Sequence, residues 1–253
     1  MFNKTNLMKK SITLAVTAVI FVGSSMSVLA AEPSSEPAAV DNATTVDSTT
    51  AEVSTFSNEI SGLGGAVISD ETYIDANDFK KEIRENSVQP YAAGWYNLPG
   101  TTYRYEQLDP YYCVPATMQT ILRYNNGTTP PAQSTIASDM GFTSGVGVDF
   151  LKVPDYLNGK QSKASYAIHK KSSKESMTSR IEADITDYVV PTSIRIKVSN
   201  SSDWFYTTAG HAIVCNSIMS DSSKVQLVDP GVGYSWYEKS TSDLYKVFTH
   251  LAW

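Results

Sequence analysis

The feature that most constrains the fold is a change in the character of the chain at residue 91. Residues 31–58 consist mainly of Ser, Thr, Ala, Pro and acidic residues, with almost nothing to bury, and such segments are expected to stay disordered. From Tyr91 onward, aromatic and apolar residues recur between turns. Residues 91–253 have the length of one ordinary domain with its own core, so we expect the folded part of the protein there.

The N-terminus has the layout of a secretory signal. Three lysines precede an apolar run from Ile12 to Val22, and small residues follow up to Ala30. This order is typical of a cleavable signal peptide over residues 1–30. The run is shorter than the about 20 apolar residues that a membrane span needs. We therefore expect a secreted protein, free or associated with the cell surface, without a membrane anchor.

Residues 59–90 are intermediate in character between the linker and the domain. Phe79 and Ile83 form a thin apolar stripe, which predicts a short helix from Asp75 to Asn86. The segment is either a continuation of the disordered acidic linker or a pro-segment that docks on the following domain. The apolar spacing does not identify a partner, so both interpretations stay open.

The distribution of charge argues against several function classes. The net charge is -6 at pH 7, and the acidic excess lies in residues 32–90, whereas residues 91–253 carry equal numbers of acidic and basic side chains. A neutral domain without a basic stripe does not predict binding to nucleic acid or to an anionic membrane. The 3 His and 2 Cys are scattered and lack metal-ligand spacing, so neither a metal nor another cofactor is expected.

The pattern along the domain predicts a helix-rich first half and a strand-rich second half. Helices are expected from Val114 to about Asn125 and around Glu175 to Tyr188. Turn residues separate the apolar runs of the second half, which indicates an antiparallel sheet. The predicted strands are Val190–Val198, His211–Ile218, Lys224–Val228 and Tyr234–Glu238. The fold class is therefore α+β.

Cys113 lies at the start of the first predicted helix. Pro115 falls in the first turn, where a missing N–H is tolerated, and Asn125-Asn126-Gly127 forms a stop signal. A helix N-terminus presents unpaired N–H groups and a partial positive charge, which favour a thiolate. Cys113 is thus a candidate nucleophile. A disulfide with Cys215 is the alternative for an exported chain with two cysteines.

A thiol nucleophile needs a base, and His211 is the best placed of the three histidines. It begins an apolar strand just after a loop, so its ring can reach a cleft while the strand fixes its backbone. His169 precedes two lysines in a polar stretch, and His250 lies three residues from the end. We expect both of these to lie on the surface.

Two more residues complete a candidate catalytic site. Asp229 ends the strand that follows the His211 strand, so a hairpin can bring its carboxylate beside the imidazole that it would orient. Asp229-Pro230-Gly231 is also a typical turn, and both interpretations can hold. Gln107 lies six residues before Cys113, where a compact loop could return its amide to stabilise an oxyanion.

In this order and context the residues resemble the C39-like branch of the papain-like cysteine peptidases. The resemblance rests on Gln107, Cys113-Val-Pro-Ala116, Gly210-His-Ala-Ile-Val214 and Val228-Asp-Pro-Gly231, within residues 95–240. It implies a papain-like fold and cleavage of peptides or proteins through a thioester acyl-enzyme. Cys113 would be the nucleophile, His211 the general base and then acid, Asp229 the orienting group and Gln107 the oxyanion donor.

One position departs from the family pattern. Members of this branch commonly have Gly between the nucleophile and Pro, where this chain has Val114. A branched side chain fits helical backbone angles without strain, so the departure concerns substrate specificity more than activity. Two alternatives also stay open: a non-catalytic surface or binding module with the same fold, and an amidase or transferase that uses the same thiol chemistry.

The segment before the domain contains a second point of resemblance. Gly64-Gly65 is similar to the double-glycine leader sites that transporter-linked C39 peptidases cleave. Glycine pairs are also common in linkers. Self-cleavage at this pair is therefore a hypothesis that the sequence leaves open.

Overall fold

The computed structural model describes residues 64–75 and 94–253. All of these residues belong to one compact unit that extends over Ser54–Trp253. The predicted signal peptide, the predicted linker over residues 31–58 and the predicted helix after Asp75 lie outside the described residues.

Five α-helices and nine strands make up the described part of the chain. The helices are α1 (Cys113–Asn126), α2 (Gln133–Asp139), α3 (Val153–Lys160), α4 (Lys174–Ala183) and α5 (Thr241–Val247), with a 3₁₀-helix at Phe150–Lys152 and a π-helix at Asp184–Tyr188. The strands are β1 (Ala66–Val67), β2 (Trp95–Asn97), β3 (Val148–Asp149), β4 (Ile168–Lys170), β5 (Thr192–Val198), β6 (Thr208–Met219), β7 (Lys224–Val228), β8 (Trp236–Ser240) and β9 (Phe248–Ala252). Within this part of the chain, no helix is both long and apolar enough to cross a bilayer.

Helix α1 begins and ends close to the predicted positions, for the predicted reasons. Pro115 lies in its first turn. Gly127 ends the helix with φ of 68° and donates its N–H to the carbonyl of Arg123, the left-handed C-terminal cap that glycine adopts without steric cost. The residues from Cys113 to Leu122 are all buried, so α1 lies inside the protein.

The main sheet is antiparallel, as predicted. Its strand order is β4-β9-β5-β6-β7-β8, and β2 pairs with the far end of β6. The four predicted strands correspond to β5, β6, β7 and β8. The sequence did not predict β4 and β9: β4 has only three residues, and polar Thr249 and His250 interrupt the apolar pattern of β9. Only tertiary contacts place β9 between β4 and β5.

The sheet separates two apolar clusters. Alternate residues of β6 face opposite sides: Ala212 and Val214 pack in the cluster that contains α1, and Ile213 and Cys215 pack in the cluster that contains α4 and α5. Because helices cover both faces, β6 reads as a nearly continuous apolar run. The predicted α+β fold is confirmed, with a helical first half, a cysteine at a helix N-terminus and an antiparallel sheet in the second half.

Candidate active site

The loop before α1 places Cys113 at the start of the helix. Asp109 stabilises the turn in this loop. Its side chain accepts a hydrogen bond from Tyr111 N at 2.8 Å, and its carbonyl accepts one from Tyr112 N at 2.9 Å. Cys113 is the first residue of α1, and its thiol is free and fully buried. The thiol therefore lies at the end of the helix where the dipole favours negative charge.

His211 connects Cys113 to Asp229. The ring is fully buried, and Nε2 lies 2.8 Å from Oδ1 of Asp229, which leaves Nδ1 for the thiol. Burial disfavours the imidazolium, but the charge of Asp229, the hydrogen bond to it and the neighbouring Cys113 raise the pKa of His211 to about 10. The surroundings therefore keep the imidazole protonated at neutral pH.

Asp229 both begins the predicted turn and meets His211. Its Oδ1 accepts a hydrogen bond from Gly231 N at 2.8 Å, and its Oδ2 accepts from the hydroxyls of Tyr206 at 2.7 Å and Tyr237 at 2.8 Å. Burial acts to raise the pKa of Asp229, but the positive charge of His211 and these donors outweigh it, so the pKa is lowered. The carboxylate stays ionised although it is fully buried.

Sequence reasoning missed three residues that hold Asp229 in place. Tyr206 also contacts the His211 ring edge-on, with centroids 5.8 Å apart, and Tyr237 lies on β8. Arg104 donates from Nε to the Asp229 carbonyl at 2.6 Å and from Nη2 to the Gly231 carbonyl at 2.7 Å. Arg104 and Tyr206 lie far from Asp229 along the chain, whereas Tyr237 lies 8 residues after it, on a predicted strand.

Gln107 is buried in the loop that carries Cys113. Its Nε2 donates to the carbonyls of Asp109 at 3.0 Å and Pro110 at 2.9 Å. Its backbone N–H donates to the carbonyl of Pro230 at 2.8 Å. The residue thus ties the loop before the thiol to the turn after Asp229, and its amide nitrogen donates to loop carbonyls.

The other two histidines are not on the surface, so that prediction was wrong. His169 is 5% exposed and His250 is 2% exposed, because they lie on the unpredicted strands β4 and β9. Nε2 of His169 lies within hydrogen-bonding distance of the Ser172 hydroxyl, at 3.2 Å. Burial and the charge of Arg195 lower the pKa of His250 to about 4, so this imidazole is neutral at physiological pH.

Residues 64–75 pack against the domain and pass directly over Cys113. The thiol donates to the carbonyl of Gly64, with Sγ and O 2.9 Å apart. Val148 N donates to the carbonyl of Gly65 at 2.6 Å, and Arg195 Nε donates to the carbonyl of Ala66 at 2.6 Å. Ala66 is fully buried. Successive main-chain oxygens of this segment are therefore bound in the candidate site.

Gly65 could not carry a side chain in this position. Its φ is +99°, and a Cβ there would lie 2.2 Å from the carbonyl oxygen of Tyr111. The segment is held further along by hydrogen bonds between Ser69 and the Asp149 carboxylate and between Lys170 and the carbonyl of Glu71. The contacts thus extend well beyond the glycine pair.

Cys215 differs from Cys113 in its surroundings. It is free and fully buried, and its Sγ lies 3.4 Å from the carbonyl oxygen of Ser217. Burial raises its pKa to about 12. The alternative of a disulfide between the two cysteines is therefore wrong, and Cys215 is a buried structural thiol. Among the described residues, no group of three potential ligands could hold a metal ion.

Comparisons with known proteins place the chain in a family. A sequence model of the peptidase C39-like family matches residues 101–252, which include α1, β6 and β7. Among solved structures, the peptidase domain of Streptococcus ComA, a bi-functional ABC transporter involved in quorum sensing, is similar with a TM-score of 0.42 and 14% identity, over 60% of this chain and 96% of that chain. No curated protein sequence matches the chain significantly.

Proposed function

The chain belongs to the peptidase C39-like family, and on that premise we propose that it is a secreted cysteine peptidase that hydrolyses peptide bonds. The observation that carries the proposal is the buried pair of His211 and Asp229 beside the thiol of Cys113 at the start of α1. A base next to a thiol, oriented by a third group, is the arrangement that nucleophilic catalysis requires.

In the first half of the reaction, the thiolate of Cys113 attacks the carbonyl carbon of the scissile bond while His211 is protonated. A C–S bond forms and the carbonyl oxygen becomes an oxyanion. His211 then gives its proton to the amide nitrogen, the C–N bond breaks, and the amine leaves. The product that stays behind is a thioester on Cys113.

In the second half, water attacks the thioester and His211 accepts its proton. The C–S bond breaks, the peptide acid leaves, and the pair of thiolate and imidazolium is restored. Asp229 stays ionised throughout and holds the ring through Nε2, so that Nδ1 faces the sulfur. Tyr206 and Tyr237 hold the carboxylate in turn.

The oxyanion needs hydrogen-bond donors placed before the reaction. The backbone N–H of Cys113 at the helix start is one candidate, and the side chain of Gln107 is the other. Its amide nitrogen donates to the carbonyls of Asp109 and Pro110, so one of these bonds must be exchanged for the oxyanion. One such donor is worth about 3 kcal/mol of transition-state stabilisation.

Residues 64–75 act as a pro-segment that keeps the enzyme latent. They cover the thiol, and the Gly64 carbonyl accepts its hydrogen bond, so the segment takes the position that a substrate carbonyl would occupy beside the sulfur. The carbonyl that meets the thiol belongs to the Gly64–Gly65 bond. Intramolecular cleavage of that bond is the form of self-processing that this contact favours.

The test measures thiol reactivity and peptide cleavage in the secreted chain, from Glu32 to Trp253. It compares the chain in which residues 64–75 are docked with a variant in which they are released. A Gly65→Val variant introduces a Cβ against Tyr111 and should release the segment. In that variant, iodoacetamide should label Cys113 much faster than Cys215, at pH values below 8, and a peptide library should be cleaved.

The matched controls are Cys113→Ala and Cys215→Ala in the same background. Cleavage that persists without Cys113 would remove it from the mechanism. Slow and equal labelling of both cysteines would favour the non-catalytic module. Transfer of the acyl group to amines in preference to water would favour the transferase alternative.

A further inference from the structure

Arg195 is a buried cation on which the carboxylates of Glu71 and Asp149 act without direct contact. It lies on β5 and is only 6% exposed. Its guanidinium donates to the carbonyl of Ala66 at 2.6 Å, to the hydroxyl of Thr249 at 2.8 Å and to the carbonyl of Ala209 at 3.5 Å. Among the described residues, no carboxylate forms an ion pair with it. A buried charge without a contacting counterion is costly, and its shortest hydrogen bond is to the segment that occupies the site.

The position of this bond is fixed relative to the thiol. The Gly64 carbonyl meets Cys113, and the Ala66 carbonyl, two residues further on, meets Arg195. Gly210 allows this approach, because a Cβ there would lie 2.2 Å from the Ala66 oxygen and 2.8 Å from Nη2 of Arg195. A substrate on the same path would place on Arg195 the main-chain oxygen of the second residue after the attacked carbonyl.

A second positive side chain lies in the same row of the sheet as Arg195, while the Asp149 carboxylate acts on Arg195 from β3. The register of the sheet aligns Arg195 with His250 on β9 and His250 with Lys170 on β4, and Lys170 also binds a carbonyl of the segment, that of Glu71. His250 is neutral at physiological pH, so Arg195 and Lys170 supply the charge of this row. When the segment leaves, Arg195 loses its shortest bond and faces the emptied site.

We propose that Arg195 is a specificity-determining residue that selects peptides ending in a free carboxylate two residues after the scissile bond, so that the enzyme releases C-terminal dipeptides. A carboxylate offers two oxygens to the planar fork of the guanidinium, and such charge-assisted pairs are stronger than a bond to a neutral carbonyl. This role rests on the proposed peptidase function. We expect a preference for the acid over the corresponding amide of about tenfold to hundredfold in kcat/KM.

The experiment uses the secreted chain from Glu32 to Trp253 with Gly65→Val and pairs of peptides that are identical except for a C-terminal acid or amide. Mass spectrometry identifies the released dipeptide, and kcat/KM is measured for each member of a pair. Arg195→Gln should abolish the preference for the acid, and Arg195→Lys should reduce it. Lys224→Gln removes a positive charge from an exposed side chain on β7, outside this row, and should leave the preference intact.

The outcomes separate the two proposals. Equal cleavage of acid and amide with Arg195 intact would overturn the role of Arg195 and leave the peptidase function standing, and this comparison does not depend on whether Arg195→Gln folds. A preference that survives Arg195→Gln would also overturn it. Cleavage of neither peptide, with Cys113 inert to iodoacetamide, would overturn the peptidase function and the role of Arg195 with it.

Discussion

The two cysteines show that burial alone does not decide what a thiol does. Both are free and fully buried. Cys215 lies in mid-strand next to a backbone carbonyl, and burial raises its pKa to about 12. Cys113 lies at a helix N-terminus beside His211, and its thiol donates a hydrogen bond to the carbonyl of Gly64. The difference lies in the surroundings, because Cys113 lies next to a base at a helix N-terminus, whereas Cys215 lies within a strand.

The largest expected effect tests the difference between the two cysteines directly. Cys113→Ala should lower kcat/KM in the Gly65→Val background by at least about 10⁴-fold, because the nucleophile is lost. Cys215→Ala should leave activity within a few fold and cost about 1 kcal/mol of stability for the small cavity. Peptide cleavage assays and urea unfolding measure both. A comparable loss of activity in the two variants would contradict the distinction.

Asp229→Asn tests whether the positive charge of His211, next to Cys113, depends on the buried carboxylate. We expect kcat/KM to fall by roughly 10³- to 10⁴-fold, because an amide can no longer stabilise the imidazolium or hold its orientation. Asp243→Asn is a matched control, since Asp243 is a partly exposed carboxylate in the first turn of α5 whose Oδ1 lies 2.8 Å from Lys246 Nζ. If the Asp229→Asn variant were as active as the wild-type protein, His211 would need no acidic partner.

The same pair predicts a pH dependence of stability. The pKa of His211 is raised to about 10, so its contribution to stability is complete below the ordinary value near 6.5 and is lost as pH rises through 10. The free energy of unfolding should fall by on the order of 3 kcal/mol across this range. The fall should be absent in Asp229→Asn, and the check is denaturant unfolding at pH 6.5 and pH 10. A parallel fall in the variant would assign it to other groups.

Local signals account for the parts of the site that the sequence predicts. Pro115 and Gly127 mark the ends of α1, and strand alternation with a turn at Asp229 brings that carboxylate to His211 across a hairpin. Tyr206 reaches Asp229 from a loop 23 residues before it, and Tyr237 reaches it from the neighbouring strand β8. No residue type or spacing near either tyrosine indicates such a contact, so the sequence could not predict it.

The position of residues 64–75 could not be predicted from the sequence either. The sequence does not decide between a pro-segment and a linker, because the contacts of the segment are made by its main chain. The carbonyls of Gly64 and Ala66 bind Cys113 and Arg195, and backbone groups leave no trace in the pattern of side chains. Only the absence of a side chain at Gly65 could be read from the sequence.

Release of the segment should sharpen the contrast between the cysteines. Gly65→Val should raise the rate at which iodoacetamide labels Cys113 by about 30-fold, which corresponds to a loss of about 2 kcal/mol of docking free energy, and should leave Cys215 unchanged. Gly145→Val is the matched control, because Gly145 also has positive φ but nothing lies within 4 Å of its added Cβ. Labelling that is equally fast in the two variants would mean that the segment does not shield the thiol.

The smallest expected effect concerns the tyrosines that hold Asp229. Tyr237→Phe removes a hydroxyl that donates to Oδ2 at 2.8 Å, and a hydrogen bond to a charged group contributes about 1.5 kcal/mol. We expect that loss of stability and a fewfold decrease in kcat/KM. Tyr103→Phe, at a half-exposed ring, should change none of these. Because Tyr206 donates to the same oxygen at 2.7 Å, the double variant should lose more than either single one, and purely additive losses would show that the two hydroxyls act independently on Asp229.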